Sequence, residues 1–215
     1  MHKFARFIFV LSFLFFLEVV EAETLDLKKL VKVTRDNNPK CVLYFYYKND
    51  LYCITTTSNA EKPDPQIIGY EKQKIIFDDR AWRAAWGQKT DNIVTVEYVP
   101  GNDDIDNWRE LITSQFAPGI QDKLTPLQFS EGIIDSLKKS GFKPEVSYFE
   151  KSPSRVIFEF RITEPKNMVQ DELQMITKGK DGLYILHYVI KEADMGNACR
   201  NKWLQNLRNS HPVDN

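Results

Sequence analysis

The sequence predicts an α+β fold in which an antiparallel β-sheet is sandwiched between helices. Three observations carry this. Segments rich in Tyr, Phe, Ile, Val and Thr come in consecutive pairs joined by short polar turns, the pattern of antiparallel hairpins. Amphipathic helix patterns stand between and after them, with their own start and stop signals. The apolar stripes of those helices need a sheet face to cover them.

The chain opens on a leader pattern. Lys3 and Arg6 precede an apolar run over residues 7–17, and Glu18 ends it. Val20 and Ala22 occupy the positions a signal peptidase reads, so the expectation is a secretory signal over 1–22, cut after Ala22. A membrane span needs about 20 apolar residues, and this run is roughly half that. Residues 23–215 are then expected to form a single domain, with no second apolar run long enough to span a bilayer.

Residues 24–37 read as a first helix, with Leu27, Leu30 and Val31 on one face and Asn37-Asn38-Pro39 as its stop. Residues 41–57 read as a hairpin turning at Lys48-Asn49-Asp50. The polar stretch 58–65, with two prolines, reads as a loop. Residues 67–77 read as a strand. In "RAWRAAWGQ" helix propensity competes with alternation, since Trp82, Ala84 and Trp86 alternate with Ala81, Arg83 and Ala85. The turn signal "KTDN" and the strong strand 93–99 that follow favour a second hairpin.

Beyond Pro100-Gly101, Asp103 or Asp104 is expected to cap a helix running to Phe116, with Ile105, Trp108, Leu111, Ile112 and Phe116 on one face. The next helix carries fuller punctuation. Thr125 is its N-cap, Pro126 its first residue, and Gln128 completes a capping box. Phe129, Ile133, Ile134 and Leu137 face inward, and Gly141 is the left-handed stop. Residues 144–151 and 155–163 read as strands joined by "SPS", and a hairpin follows about residues 179–182. Met195, Cys199, Trp203 and Leu207, four apart, mark a closing helix.

Composition narrows the partners. Net charge is −1 and no Lys/Arg cluster stands out. Nucleic acid and anionic membranes need a basic footprint, so neither is an expected partner. The cysteines are Cys41, Cys53 and Cys199, an odd number that leaves at least one thiol free or intermolecular. In the expected hairpin Cys53 faces Phe45 or Tyr46, which puts Cys41 several strand residues away. At about 3.3 Å per residue that exceeds disulfide reach, so the Cys41–Cys53 pair is not expected in that register. A bridge from Cys199 to either strand cysteine stays open, as does Cys199 as a small buried hydrophobe.

The acidic joint at Asn102, Asp104 and Asp106 alternates like the start of a calcium loop. Asn107 stands where such a loop needs glycine, and Thr113 where it needs a bidentate Glu. A helix cap explains the aspartates instead. Beyond the leader the only histidines are His187, in a strand, and His211, in a polar tail, and neither has a nucleophile signature or metal-ligand spacing beside it. No glycine-rich phosphate loop is present. No cofactor, metal or catalytic residue is therefore expected. Trp82 and Trp86, with Tyr46, are the candidate ligand or partner surface, although such rings more often cover a sheet.

The run "VEYVPGNDDIDNWRELITSQF" resembles a group of bacterial exported proteins of uncharacterised function. The resemblance rests on Glu97, Tyr98, Val99, Pro100, Trp108, Ile112 and Thr113, and on a late helix with Trp203, Leu204 and Leu207. It implies a PsbP-like α/β/α sandwich, a fold that serves mostly as a binding scaffold, and it carries no catalytic residue across. The expected protein is thus a periplasmic or secreted, non-catalytic binding or accessory module for an unknown protein or small ligand. Two alternatives remain open: a secreted effector or hydrolase with an unrecognised carboxylate site, and a structural component of an envelope or secretion assembly.

Overall fold

The computed structural model describes residues 30–34, 41, 43–54, 66–101 and 103–213. The expected leader with its Ala22 cleavage point, most of the expected 24–37 helix and the 58–65 loop lie outside the described residues. The strands are β1 (Val31–Lys32), β2 (Leu43–Tyr47), β3 (Asp50–Ile54), β4 (Gln73–Lys74), β5 (Trp82–Lys89), β6 (Val94–Pro100), β7 (Glu110–Pro118), β8 (Glu145–Lys151), β9 (Arg155–Ile162), β10 (Gln170–Lys178), β11 (Gly182–Ile190) and β12 (His211–Pro212). The helices are α1 (Gln66–Gly69), α2 (Pro126–Lys139) and α3 (Gly196–Asn209).

Ten strands form one sheet in the order β1-β3-β2-β5-β6-β7-β11-β10-β9-β8, and β12 pairs with β4 apart from it. Every ladder is antiparallel. This corrects the expected helix-sandwiched, PsbP-like architecture. Among the described residues the sheet dominates, and three short helices cover only parts of it.

The correction has a local cause. The segment expected as a helix to Phe116 is instead a one-turn 3₁₀ helix at Ile105–Asn107 followed by β7. β7 sits between β6 and β11 and pairs with both. Leu111, Ile112, Thr113 and Ser114 are consecutively buried. A strand covered on both faces loses its alternation, and its apolar residues fell by coincidence at helical spacing. Two further expectations fail. Residues 67–77 hold α1 and the two-residue β4 rather than one strand, and Val31–Lys32 is strand, paired with Cys53 and Tyr52.

α2 forms as its punctuation predicts. Thr125 Oγ1 accepts from Gln128 N, and Gln128 Oε1 accepts from Thr125 N at 2.9 Å. Gly141 closes it at φ +92°, a conformation that costs glycine nothing sterically. Its Ile134 and Leu137 pack on Val156, Phe158, Phe160, Ile162, Ile176 and Ile185. α3 packs on the other face, where Trp203, Leu204 and Leu207 meet Trp82, Tyr98, Ile112, Ile157, Leu173, Met175 and Tyr188. Adjacent residues such as Met175 and Ile176 therefore belong to different cores, as strand alternation dictates.

Trp203 anchors the α3 side. It stacks on Tyr188 at 4.1 Å between ring centroids and meets Trp82 edge-on at 5.6 Å. Trp82 Nε1 donates to Asp78 Oδ1 at 2.9 Å, so the buried indole keeps its polar partner. Burial pushes the Asp78 carboxyl up, but hydrogen bonds from Arg80 and Trp82 outweigh this and hold it below the usual range.

Cys41 and Cys53 form a disulfide with Cα atoms 5.5 Å apart, which corrects the rejection of that pair. The turn is tighter than expected: Tyr47 faces Asp50, so Cys53 lies opposite Tyr44. Cys41 precedes the strand, which starts at Leu43, so the rise per strand residue does not separate the two sulfurs. Cys199 is a free, half-buried thiol beside Tyr188 Oη at 3.4 Å.

A bulge breaks the β5–β6 register between Ala84 and Trp86. Trp82 and Ala84 face the α3 core. Past the bulge Trp86 pairs with Glu97 on the opposite face. Gly87 then returns to the α3 side, where a Cβ would come within 2.9 Å of Ile67 Cγ2.

Candidate functional site

On the α3 side a cavity of about 300 Å³ opens where β2, α1 and β4 meet β6. Tyr46, Phe77 and Tyr98 form its aromatic wall. Tyr46 and Phe77 stack at 5.1 Å, and Tyr98 meets Phe77 edge-on at 5.2 Å. Ile68, Ile75 and Val213 complete the apolar lining, and Asn49, Glu71, Gln73 and Lys74 supply polar groups.

Glu71 is the cavity's distinctive group. Oε1 accepts from Lys72 N at 2.9 Å, Gln73 N at 2.7 Å and Ser114 Oγ at 2.6 Å. Oε2 accepts from Tyr98 Oη at 2.6 Å. Oε1 is taken up by its three donors, whereas Oε2 has one and can accept a second. Burial pushes the Glu71 carboxyl up, while bonds from Ser114, Tyr98 and the backbone oppose it. The Tyr98 hydroxyl is pushed well above its ordinary value by burial and by the adjacent carboxylate. Gln73, 3% exposed, fixes the base by donating to Ser114 Oγ at 2.8 Å and Ile185 O at 3.0 Å.

The three candidate surface residues separate. Tyr46 lines the cavity. Trp82 is fully buried against α3, and Trp86, 41% exposed, stands on the opposite sheet face. The polar lining residues Glu71 and Gln73, and the Ser114 that both bond to, carried no signal in the sequence. They meet only through folding, with Ser114 lying 43 residues from Glu71.

The other singled-out residues have local roles. Asp104 Oδ1 accepts from Asp106 N at 3.0 Å, capping the 3₁₀ turn rather than a full helix. Trp108 is not on a helix face: it packs with Val99, Leu111 and Val189 on the sheet, under the Lys191 ammonium at 4.1 Å. His187 Nδ1 lies 2.7 Å from Glu172 Oε1. Asp171 and Glu159, both buried, share Arg200, whose Nε donates to Glu159 Oε1 at 2.6 Å and whose Nη2 donates to Asp171 Oδ2 at 3.3 Å. Burial pushes Asp171 up to about 7. This charged cluster ties α3 to β9 and β10.

The architecture is that of an antiparallel-sheet domain with a small aromatic cavity. A family model matches residues 70–210, and the chain belongs to that uncharacterised family. The matched span contains β4 to β11, α2, α3 and six of the ten lining residues of the cavity, but not Tyr46, Asn49, Ile68 or Val213. No curated protein matches the chain. Among the described residues no helix is long and apolar enough to cross a membrane.

Proposed function

We propose that this chain is an exported, non-catalytic binding protein, a single domain over 23–215 released by cleavage after Ala22, that holds a small ligand in the Tyr46–Phe77–Tyr98 cavity. The observation carrying this reading is the meeting of three aromatic rings around a carboxylate with spare acceptor capacity. Small-ligand sites combine apolar walls with a few convergent polar groups in this way. The ligand has a flat or apolar part against Tyr46 and Phe77 and a donor group for Glu71 Oε2. The Cys41–Cys53 disulfide supports an oxidising compartment, and the leader pattern supports export by cleavage.

A thermal-shift screen of the purified protein tests the cavity, using aromatic amines, amino acids and short peptides as probes. A hit must lose its shift in both Tyr46→Ala and Glu71→Gln. A hit indifferent to both substitutions counts against the cavity. Amino-terminal sequencing of exported protein tests the leader, with Glu23 expected as the first residue.

A further inference from the structure

The donors at the base of the cavity are committed, and its acceptors are not. Tyr98 Oη gives its proton to Glu71 Oε2. Gln73 Nε2 donates to Ser114 Oγ and Ile185 O, and Ser114 Oγ passes its own proton to Glu71 Oε1. What stays open is the second place on Glu71 Oε2. Gln73, another lining residue, adds an Oε1 that has no partner among the described residues. A ligand seated here is asked for donors.

Glu71 also lacks a counter-charge. Among the described residues its partners are two main-chain N–H groups and two hydroxyls, with no ion pair. Burial pushes its carboxyl up, and the opposition comes from those hydrogen bonds. Lys74, the one lining cation, is exposed. Its ammonium stays in water, where solvent and salt screen it from the carboxylate. A buried charge without an opposite charge is costly, so Glu71 favours a ligand that brings positive charge along with its donor. The aromatic wall favours the same charge, because the faces of such rings attract cations. Tyr46, Phe77 and Tyr98 all line the cavity.

We infer that the cavity selects a primary amine with one flat or apolar body, its ammonium donating to Glu71 Oε2 and its body lying against Tyr46 and Phe77. This rests on the cavity being the ligand site proposed above, and it narrows the ligand there to an organic cation. An ammonium brings donors and no acceptor, which is what Oε2 lacks. A neutral alcohol or amide supplies a donor but leaves the carboxylate uncompensated. An ionised acid sets a second negative charge beside Glu71. A quaternary ammonium carries the charge but has no N–H for Oε2. A volume of about 300 Å³ suits a single ring on a short chain.

Calorimetric titration of the purified protein at pH 8 and fixed ionic strength tests the inference with three probes of similar shape: 2-phenylethylamine, 2-phenylethanol and 3-phenylpropionate. The amine should bind at one site at least tenfold more tightly than the alcohol, and the acid should not bind. Glu71→Gln should erase the amine's advantage over the alcohol. Tyr46→Leu, which keeps an apolar wall without a ring, should weaken the amine several-fold, and Trp86→Ala, on the other sheet face, should leave it unchanged. If Glu71→Gln alters the circular dichroism spectrum, Tyr46→Leu and a pH series on the parent protein decide. Amine binding should then weaken as pH falls, because Glu71 takes up a proton while the amine stays charged. Alcohol or acid binding as tightly as the amine, and lost in Tyr46→Ala, overturns the inference and leaves the cavity as a site for another ligand. Amine binding that survives both Glu71→Gln and Tyr46→Leu overturns it as well. Binding of none of the three also overturns it, and the cavity falls too only if the wider thermal-shift screen gives no hit dependent on Tyr46 and Glu71.

Discussion

Tyr98 donates its phenolic proton to Glu71 Oε2 across 2.6 Å. Tyr98 is completely buried and Glu71 is partly so, and each satisfies a polar group the other would otherwise strand. Tyr98→Phe removes that donor while keeping the ring contacts with Phe77 and Tyr46. It should cost about 1–3 kcal/mol. Urea unfolding measures this. A double-mutant cycle with Glu71→Gln should show coupling of about 1 kcal/mol or more. Additive losses would mean that the bond contributes nothing of its own.

Asp171 gives a pH signature. Its carboxyl is raised by burial to about 7 from 3.8. Between those values the folded state binds more protons than the unfolded state, so this group's contribution to stability falls as pH rises across that window. Asp171→Asn should flatten the decline. Urea midpoints at pH 4.5, 6 and 7.5 check it, and an unchanged slope in the variant would assign the pH dependence elsewhere.

The Cys41–Cys53 bridge spans a sequence separation of 12. On the chain-entropy account a loop of that size contributes about 3 kcal/mol. Reduction should lower the melting temperature by several degrees. Mass spectrometry of the unreduced protein should find Cys199 as its one alkylatable thiol. Cys41 or Cys53 alkylated without reductant would contradict the pairing.

Trp203 binds α3 to the sheet through Tyr188 and Trp82. Trp203→Ala empties a fully enclosed site and should cost about 3–5 kcal/mol. Trp86→Ala, on an exposed ring, should stay within about 0.5 kcal/mol of the parent. The contrast separates a tryptophan enclosed beneath α3 from one exposed on the opposite sheet face.

Legibility in the sequence followed how local each determinant is. Thr125, Pro126, Gln128 and Gly141 act within one turn, and α2 appeared with the start and stop they signal. The turns at Lys48-Asn49-Asp50 and residues 179–182 were likewise readable, since turn residues speak for themselves, but the first was one residue tighter than read, which shifted the register of its hairpin. β7 was not readable. Burial on both faces erased its alternation, and losing it from the expected helices changed the architecture. Of the cavity, Tyr46 stood out as an aromatic strand residue, but Glu71, Gln73 and Ser114 are ordinary polar residues until register brings them together. Trp86 was one of three candidate surface rings in the sequence, although core was the commoner reading, and it is 41% exposed. Its face was not predictable, because one bulge reverses it.

A ten-stranded sheet that stays open has two rims, and β8 forms one of them. There the ladder to β9 is interrupted between Tyr148 and Glu150, and Glu145, Glu150 and Lys151 put charge along the strand. Irregularity and charge together deny a second molecule a straight template for strand addition. Straightening that border, by deleting Phe149 and neutralising Glu150 and Lys151, would leave a regular, uncharged edge open to pairing between molecules.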